Sequence, residues 1–307
     1  MSSTRRHLLS QILAIFALRQ SIAMQTPKFS YTAQDHTYGS LHDHQTFRMF
    51  QPIKKLGGPG TPAVIFMTGG GWGKTTKLSE PGPLGMAFLK RGIAFIDAQF
   101  GYLPGAIGKF PGPENDAVVL ARYLQRNAFK LGIDKERIGA AGRSAGGQNL
   151  MYYAWHPDAN CPAPKFLCLS AVAAVYLPSM QQNVSGSLGQ HYGPGNTLAA
   201  LSSQDQIARS PITWITTNQA RASQVPVFLA AGEMTVDFNV KPLGPPYPTD
   251  VVEHNHDSWN ANQLHKTLST IGGRAANFTQ FWWDKHPVDF TTEEAWEAQA
   301  AWAASII

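Results

Sequence analysis

The chain has 307 residues, of which 43% are hydrophobic, and a net charge of +5. That length is enough for one large α/β domain with a sizeable core, and no Pro/Ser/Gly-rich linker or charge block divides it. Residues 1–23 hold Arg5, Arg6 and Arg19 and no acid, so without them the +5 falls to +2; such a balanced, scattered charge leaves no electrostatic footprint for nucleic acid.

At the N-terminus, Arg5-Arg6-His7 precede an apolar run from Leu8 to Leu18, and Ser21-Ile22-Ala23 offers a small-x-small cleavage site. This pattern predicts an export signal over residues 1–23, and Thr4-Arg5-Arg6-His7-Leu8-Leu9 resembles the twin-arginine type. Eleven apolar-rich residues are too few to span a bilayer, so a permanent membrane anchor is not expected. The expected product is a single domain, 24–307, in the periplasm or outside the cell.

Residues 35–51 alternate in polarity and predict two leading antiparallel strands, with Gly57 to Pro62 as the turn before a buried strand, Ala63 to Met67. Strand and helix then alternate. Ile93 to Asp97 reads as a strand, Ala117 to Leu131 as an amphipathic helix, Arg137 to Ala141 as a strand and Ala145 to Trp155 as a helix. Phe166 to Val172 and Val225 to Ala230 read as further strands. A helix from Trp259 to Ile271 stops at Gly272-Gly273, and a strand from Asn277 to Trp283 and a helix from Thr292 to Ala304 close the chain. This rhythm predicts an α/β fold, with a mostly parallel central sheet flanked by helices on both faces. Residues 176–210 and 241–256 fall outside the rhythm; long irregular segments of this kind are lids, binding surfaces or plain surface insertions. Cys161 and Cys168 are the only cysteines. Export would permit a disulfide, but Cys168 lies inside an apparent strand, which favours two unpaired thiols.

The chemistry concentrates where Arg137 to Ala141 meets Ala145 to Trp155. Residues 142–146 read Gly-Arg-Ser-Ala-Gly, the pattern G-x-S-x-G. A strand that reverses into a helix within one residue holds the middle side chain in a strained, exposed position, and Gly142 and Gly146 let the two arms pass. Ser144 is thereby a candidate nucleophile. The Ala145 N–H, at the start of the helix, is a candidate donor to a developing oxyanion.

Two rival readings are weaker. Gly73-Lys74-Thr75 ends like a phosphate loop, and Ile93 to Asp97 could pass for a metal-binding strand, but G-x-x-x-x-G-K-[ST] needs glycine at position 68, where this chain has Thr. His254 and His256 sit among Asp250, Glu253 and Asp257, yet histidines at i and i+2 lack a firm third ligand, and no metal is expected. His42-Asp43-His44 reads as an exposed strand end.

Taken in order, these segments resemble the α/β-hydrolase superfamily, specifically the small carboxylesterases related to hormone-sensitive lipase and to bacterial carbohydrate esterases. Phe66-Met67-Thr68-Gly69-Gly70-Gly71-Trp72 is similar to their His-Gly-Gly-Gly-Trp stretch. Asn115-Asp116 through Gly132-Ile133-Asp134-Lys135-Glu136-Arg137-Ile138 is similar to their helix and lead-in to the elbow. Ser210-Pro211-Ile212 followed by Val225-Pro226-Val227-Phe228-Leu229 is similar to the approach to their acid-bearing strand.

The resemblance implies a serine–acid–histidine triad in that chain order, with the acid three residues after Gly232. Thr235 occupies that place, whereas Asp237-Phe238-Asn239-Val240 keeps the family's Asp-x-x-Val spacing. Asp237 is the candidate acid and Glu233 the alternative. The loop after the last strand carries His286, the candidate base, while His265 falls within a predicted helix. Gly70 and Gly71 are the candidate oxyanion-hole donors beside Ala145, and Thr68 stands where the family has histidine.

The implied activity is hydrolysis of carboxylic esters through an acyl-enzyme, without a cofactor. A peptidase or amidase of the same fold is the nearest enzymatic alternative, and a non-catalytic binding protein of this fold the alternative from another class. Trp72, Tyr102, Tyr176, Trp214 and Trp259 are candidates for an aromatic pocket suited to a sugar or aryl ester. With export, the expected partner is a small-molecule ester or an ester on a polysaccharide side chain.

Overall fold

A computed structural model describes residues 29–53, 60–69, 76–101, 111–170, 210–232, 258–284 and 293–307. The chain divides into two compact units, 1–31 and 32–307; the predicted export signal falls in the first and outside the described residues. The described residues form eight strands: β1 (Tyr31–Thr37), β2 (Thr46–Pro52), β3 (Thr61–Met67), β4 (Ala94–Ala98), β5 (Ile133–Arg143), β6 (Leu167–Ser170), β7 (Val227–Gly232) and β8 (Gln280–Asp284). Among them run α1 (Gly82–Lys90), α2 (Gly112–Leu131), α3 (Ser144–Trp155), α4 (Pro211–Thr217), α5 (Gln219–Ala222), α6 (Ser258–Thr270), α7 (Gly273–Phe278) and α8 (Glu293–Ile306).

The strands form one sheet in the order β1-β2-β4-β3-β5-β6-β7-β8. β2 runs antiparallel to β4, and every pairing from β4 through β3 to β8 is parallel. Residue composition explains the places. β1 (Tyr-Thr-Ala-Gln-Asp-His-Thr) is polar, largely exposed and lies at an edge. β3, β4 and β6 are nearly continuous apolar runs, buried as strands covered on both faces must be.

Side chains alternate between two cores. Ala63, Ile65 and Met67 of β3 and Ala94, Ile96 and Ala98 of β4 join a cluster with Ala117, Leu120, Ala121 and Leu124 of α2 and Leu150 and Met151 of α3. The intervening Phe66 and Phe95 face the other way, stacked with centroids 5.2 Å apart, and Phe88 of α1 stacks on Phe95 at 6.3 Å. Phe166 continues this second core from Phe88 to Trp302 of α8, whose ring also meets Phe228. α2 ends on Gly132, whose φ of 65° is the left-handed cap that glycine adopts without strain.

The structure corrects several boundaries. Residues 277–278 belong to α7 and the last strand starts only at Gln280, because Ala275 is buried and its N–H is held by the Ser223 carbonyl. Gly272 and Gly273, both at positive φ, do end α6. β5 begins at Ile133, and its pairing with β3 slips between Thr61 and Ala63, an irregularity that hid the early part of the strand. Helices α1, α4 and α5 were not expected. α1 opens with Gly-Pro-Leu-Gly and α4 is rich in β-branched Ile and Thr, so local preference disfavours both and burial of Phe88, Leu89, Trp214 and Ile215 overrides it. Cys161 and Cys168 are unpaired, with burial raising both thiols above their ordinary pKa.

Candidate active site

From β3 the chain passes to β4 on one side and then returns to place β5 on the other side of β3. In an open parallel sheet, the crevice beyond the carboxyl ends of two such strands is where ligands bind. β3 ends at Met67 and β5 at Arg143, with Met67 paired to Gly142, so Thr68-Gly69 and Ser144 emerge side by side.

Ser144 is the first residue of α3, follows an extended Arg143, and is partly exposed. Its φ of 50° makes it the only non-glycine residue at positive φ among those described. That conformation costs a residue with a Cβ about 1–2 kcal/mol. Packing holds it there. A Cβ on Gly142 would come 2.7 Å from Gly147 Cα, and one on Gly146 would overlap the carbonyl oxygens of Met67 and Thr68. A Cβ on Gly69 would lie 2.8 Å from Ser144 Cβ and 3.5 Å from its Oγ, so the backbone of the Gly69 segment approaches the serine closely. Ala145 is fully buried behind it.

The other sequence-predicted residues follow from strands whose ends the structure places. β7 ends at Gly232 and β8 at Asp284, residues paired with each other in parallel. Both strands run parallel to β5, so the chain leaves all three at one sheet edge. Asp237 and Glu233 follow β7 and His286 follows β8, and all three lie outside the described residues. Gly70, Gly71, Trp72, the Gly73-Lys74-Thr75 segment, Tyr102, Tyr176, His254, His256 and the segments 176–209 and 241–256 also lie outside them. His265 is within α6, as expected of it. Trp214 is buried, 2% exposed, and meets Tyr152 and His156 edge-on at 5.5 and 5.2 Å. Among the described residues no group of three or more His, Cys, Asp or Glu could hold a metal, and no helix is long and apolar enough to cross a membrane.

Two carboxylates beside this rim are buried in hydrogen bonds that the sequence reading did not foresee. Asp116 of α2 accepts hydrogen bonds from the Gly101 N–H at 2.7 Å and Gln45 Nε2 at 2.8 Å, and pairs with His42 Nε2 at 3.0 Å. The side chain of His42 is only 4% exposed, which corrects the expectation of an exposed strand end: the imidazole is drawn inward because Asp116 needs partners once desolvated. Burial raises Asp116, against the hydrogen bonds from Gly101, Gln45 and His42. Asp97 of β4, read above only as a rival metal-strand residue, accepts the Leu78 N–H at 2.7 Å. Burial pushes its carboxyl up to about 6, against the pull of that hydrogen bond and of Arg48 and Lys77. No sequence period marks such residues, since each is fixed by a partner outside its own element.

Residues 50–159 match the family model BD-FAE. No curated protein matches the chain in sequence. Among solved structures, a bifunctional GH43-CE protein of Bacteroides eggerthii superposes with a TM-score of 0.66 at 14% identity, over 89% of this chain and 38% of that one. This chain thus spans well under half of that protein's length. A truncated carbohydrate esterase from gut microbiota gives 0.61 at 14% identity, over 92% of this chain and 98% of its own. A thermophilic esterase of the planctomycete Thermogutta terrifontis, determined with butyrate bound, gives 0.57 at 17% identity, over 91% of this chain and 92% of its own. The strand order, the serine turn at its switch point and these superpositions agree that the chain has the α/β-hydrolase fold.

Proposed function

We propose that the chain is an exported serine hydrolase that cleaves carboxylic esters through an acyl-enzyme. The observation that supports this best is Ser144: a non-glycine residue at φ 50°, on a turn packed so tightly that side chains are barred at Gly142 and Gly146. Strain of that kind persists where the surrounding structure over-determines it, and it presents a hydroxyl at the head of a helix.

In this reading His286 takes the Ser144 proton as the oxygen attacks the ester carbonyl, and Asp237 holds the imidazole in the required tautomer. The N–H groups of Gly70, Gly71 and Ala145 receive the oxyanion. Collapse of the tetrahedral intermediate expels the alcohol with the proton from His286. Water, deprotonated by the same histidine, then releases the acid and restores Ser144. The carbohydrate esterases among the structural neighbours favour an ester carried on a sugar or polysaccharide as substrate.

The test is the purified protein on a panel of acetyl, butyryl, feruloyl and long-chain esters, alongside Ser144→Ala, Asp237→Asn and Glu233→Gln. Hydrolysis should be abolished by Ser144→Ala and should fall about 10⁴-fold in Asp237→Asn. Undiminished hydrolysis by Ser144→Ala contradicts the reading. A larger loss in Glu233→Gln than in Asp237→Asn transfers the acid's role to Glu233.

A further inference from the structure

Beyond Asp116, α2 carries cations and no acid: Arg122, Arg126 and Lys130 follow, while the helix's only carboxylates, Glu114 and Asp116, are buried near its start. Spaced four residues apart, the three cations stand in one stripe along the helix, where like charges repel instead of supporting it. The helix dipole favours a cation in the last turn, which accounts for Lys130 but not for Arg122 or Arg126, placed before it. No ion pair among the described residues includes Arg122 or Arg126. Phe129, three residues past Arg126 and on the same stripe, is 97% exposed.

Arg122 and Arg126 line two surface cavities at once. One, of about 240 Å³, is completed by Tyr38, Tyr123 and Asn127, and the other, of about 300 Å³, by Gln125, Asn160 and Cys161. The first has an aromatic floor: the buried Tyr38 donates its hydroxyl to the Gln99 carbonyl at 2.6 Å, and Phe47 meets Tyr123 edge-on at 5.9 Å and Tyr38 at 6.5 Å. Beside the second, Arg122 Nε donates to the Asn160 carbonyl at 3.0 Å, which fixes the guanidinium, and its Nη groups meet no acceptor among the described residues. A guanidinium held this way presents the planar fork that matches a carboxylate. Tyr123 and Phe129 add rings against which the C–H face of a sugar packs. Three cations on a chain of nearly balanced charge fall short of the basic face that a nucleic-acid duplex needs. We infer that this face of α2 is a second binding surface, separate from the serine turn, for an acidic polysaccharide: carboxylates of its uronic-acid units pair with Arg122 and Arg126, and its rings lie in the two hollows and against Phe129. This rests on the polysaccharide substrate class proposed above. Such a surface holds the polymer while the esters it carries reach Ser144, which raises their effective concentration.

Electrophoresis of the full chain through gels holding polygalacturonate, with neutral galactan as the control, tests this. Polygalacturonate should retard the wild type and galactan should not, and the retardation should fade as salt rises. Arg126→Gln removes an exposed charge and Phe129→Ser an exposed ring, so neither threatens the core. Arg126→Gln should weaken binding by about tenfold and the double variant with Arg122→Gln by about a hundredfold. Phe129→Ser should weaken it a few-fold. In hydrolysis, Arg126→Gln should keep the wild-type kcat/KM on a small soluble ester and lose about tenfold on acetylated polygalacturonate. Wild type that polygalacturonate does not retard, equal retardation by galactan, or retardation unchanged in both arginine variants overturns the inference. So does an equal loss on the two esters. Tighter binding to duplex DNA than to polygalacturonate, lost in the same variants, overturns it in favour of nucleic acid, and self-association lost in them overturns it in favour of a second copy of the chain. Absence of ester hydrolysis in the wild type overturns the functional reading instead, and leaves the binding arm to judge the surface.

Discussion

Ser144 could be suspected from five letters of sequence, because a strand-to-helix reversal has one steric solution and that solution needs small residues two places on either side. The contacts show why substitution should fail. In Gly146→Ala the new methyl meets backbone carbonyl oxygens of β3 and its exit, which cannot rotate away as a side chain could. Chemical denaturation should show a loss of about 1–3 kcal/mol, with kcat falling as the turn shifts. A stable Gly146→Ala variant of wild-type activity would mean that the turn is looser than its packing implies. Asp97 shows the opposite case, a carboxylate whose burial no pattern discloses. Burial pushes its carboxyl up to about 6 from an ordinary value of 3.8, so the fold holds the proton more tightly than the unfolded chain does. The sign follows: this group's penalty is absent below about pH 4 and develops as pH rises through 6. The unfolding free energy of wild type minus that of Asp97→Asn should therefore increase by up to about 3 kcal/mol from pH 7 to pH 4. A difference that is flat or runs the other way in urea titrations would show that Asp97 is solvated.

At the scale of elements, the legible ones had a period that burial enforces. α2 repeats Ala117, Leu120, Ala121, Leu124, Ala128 and Leu131 along one face, and the central strands are apolar runs of the right length. The elements missed are short and locally unfavourable, as α1 and α4 are, or begin where a helix displaces the expected strand, as at Asn277. Tertiary partners decide these, and one is a single side chain. Arg221 of α5 donates to the carbonyls of Tyr153 and Ala154 at 2.8 Å and of Cys161 at 2.7 Å, capping the last turn of α3 with a cation where the helix leaves its acceptors unpaired. Arg221→Ala should destabilise the protein by about 2–4 kcal/mol in thermal or chemical unfolding. Arg221→Lys should recover only part of this, since an ammonium cannot fork across three carbonyls. Equal stability of all three proteins would show that water replaces the guanidinium without cost.

Over the whole molecule, the alternation of strands and helices announced an α/β fold, but the strand order is invisible to periodicity. It arises because β5 crosses to the far side of β3, and that reversal creates the crevice where Ser144 and Gly69 meet. Ser144 and Ala145 were legible because their neighbours in sequence are their neighbours in space. Asp237 and His286 could be named only through the family resemblance, since they follow strands, β7 and β8, far along the chain from Ser144. Asp97 and Asp116 lay within segments the sequence singled out, but the hydrogen bonds that hold their buried carboxyls were not legible, because each meets a partner that only the folded sheet brings near. The account's central claim is that the turn makes Ser144 a nucleophile, and its most direct test is reaction with a fluorophosphonate followed by peptide mapping in the mass spectrometer. The expected result is one adduct per chain, on Ser144, with ester hydrolysis lost in step with labelling. An adduct on another residue, or hydrolysis that continues after Ser144 is fully labelled, would contradict it.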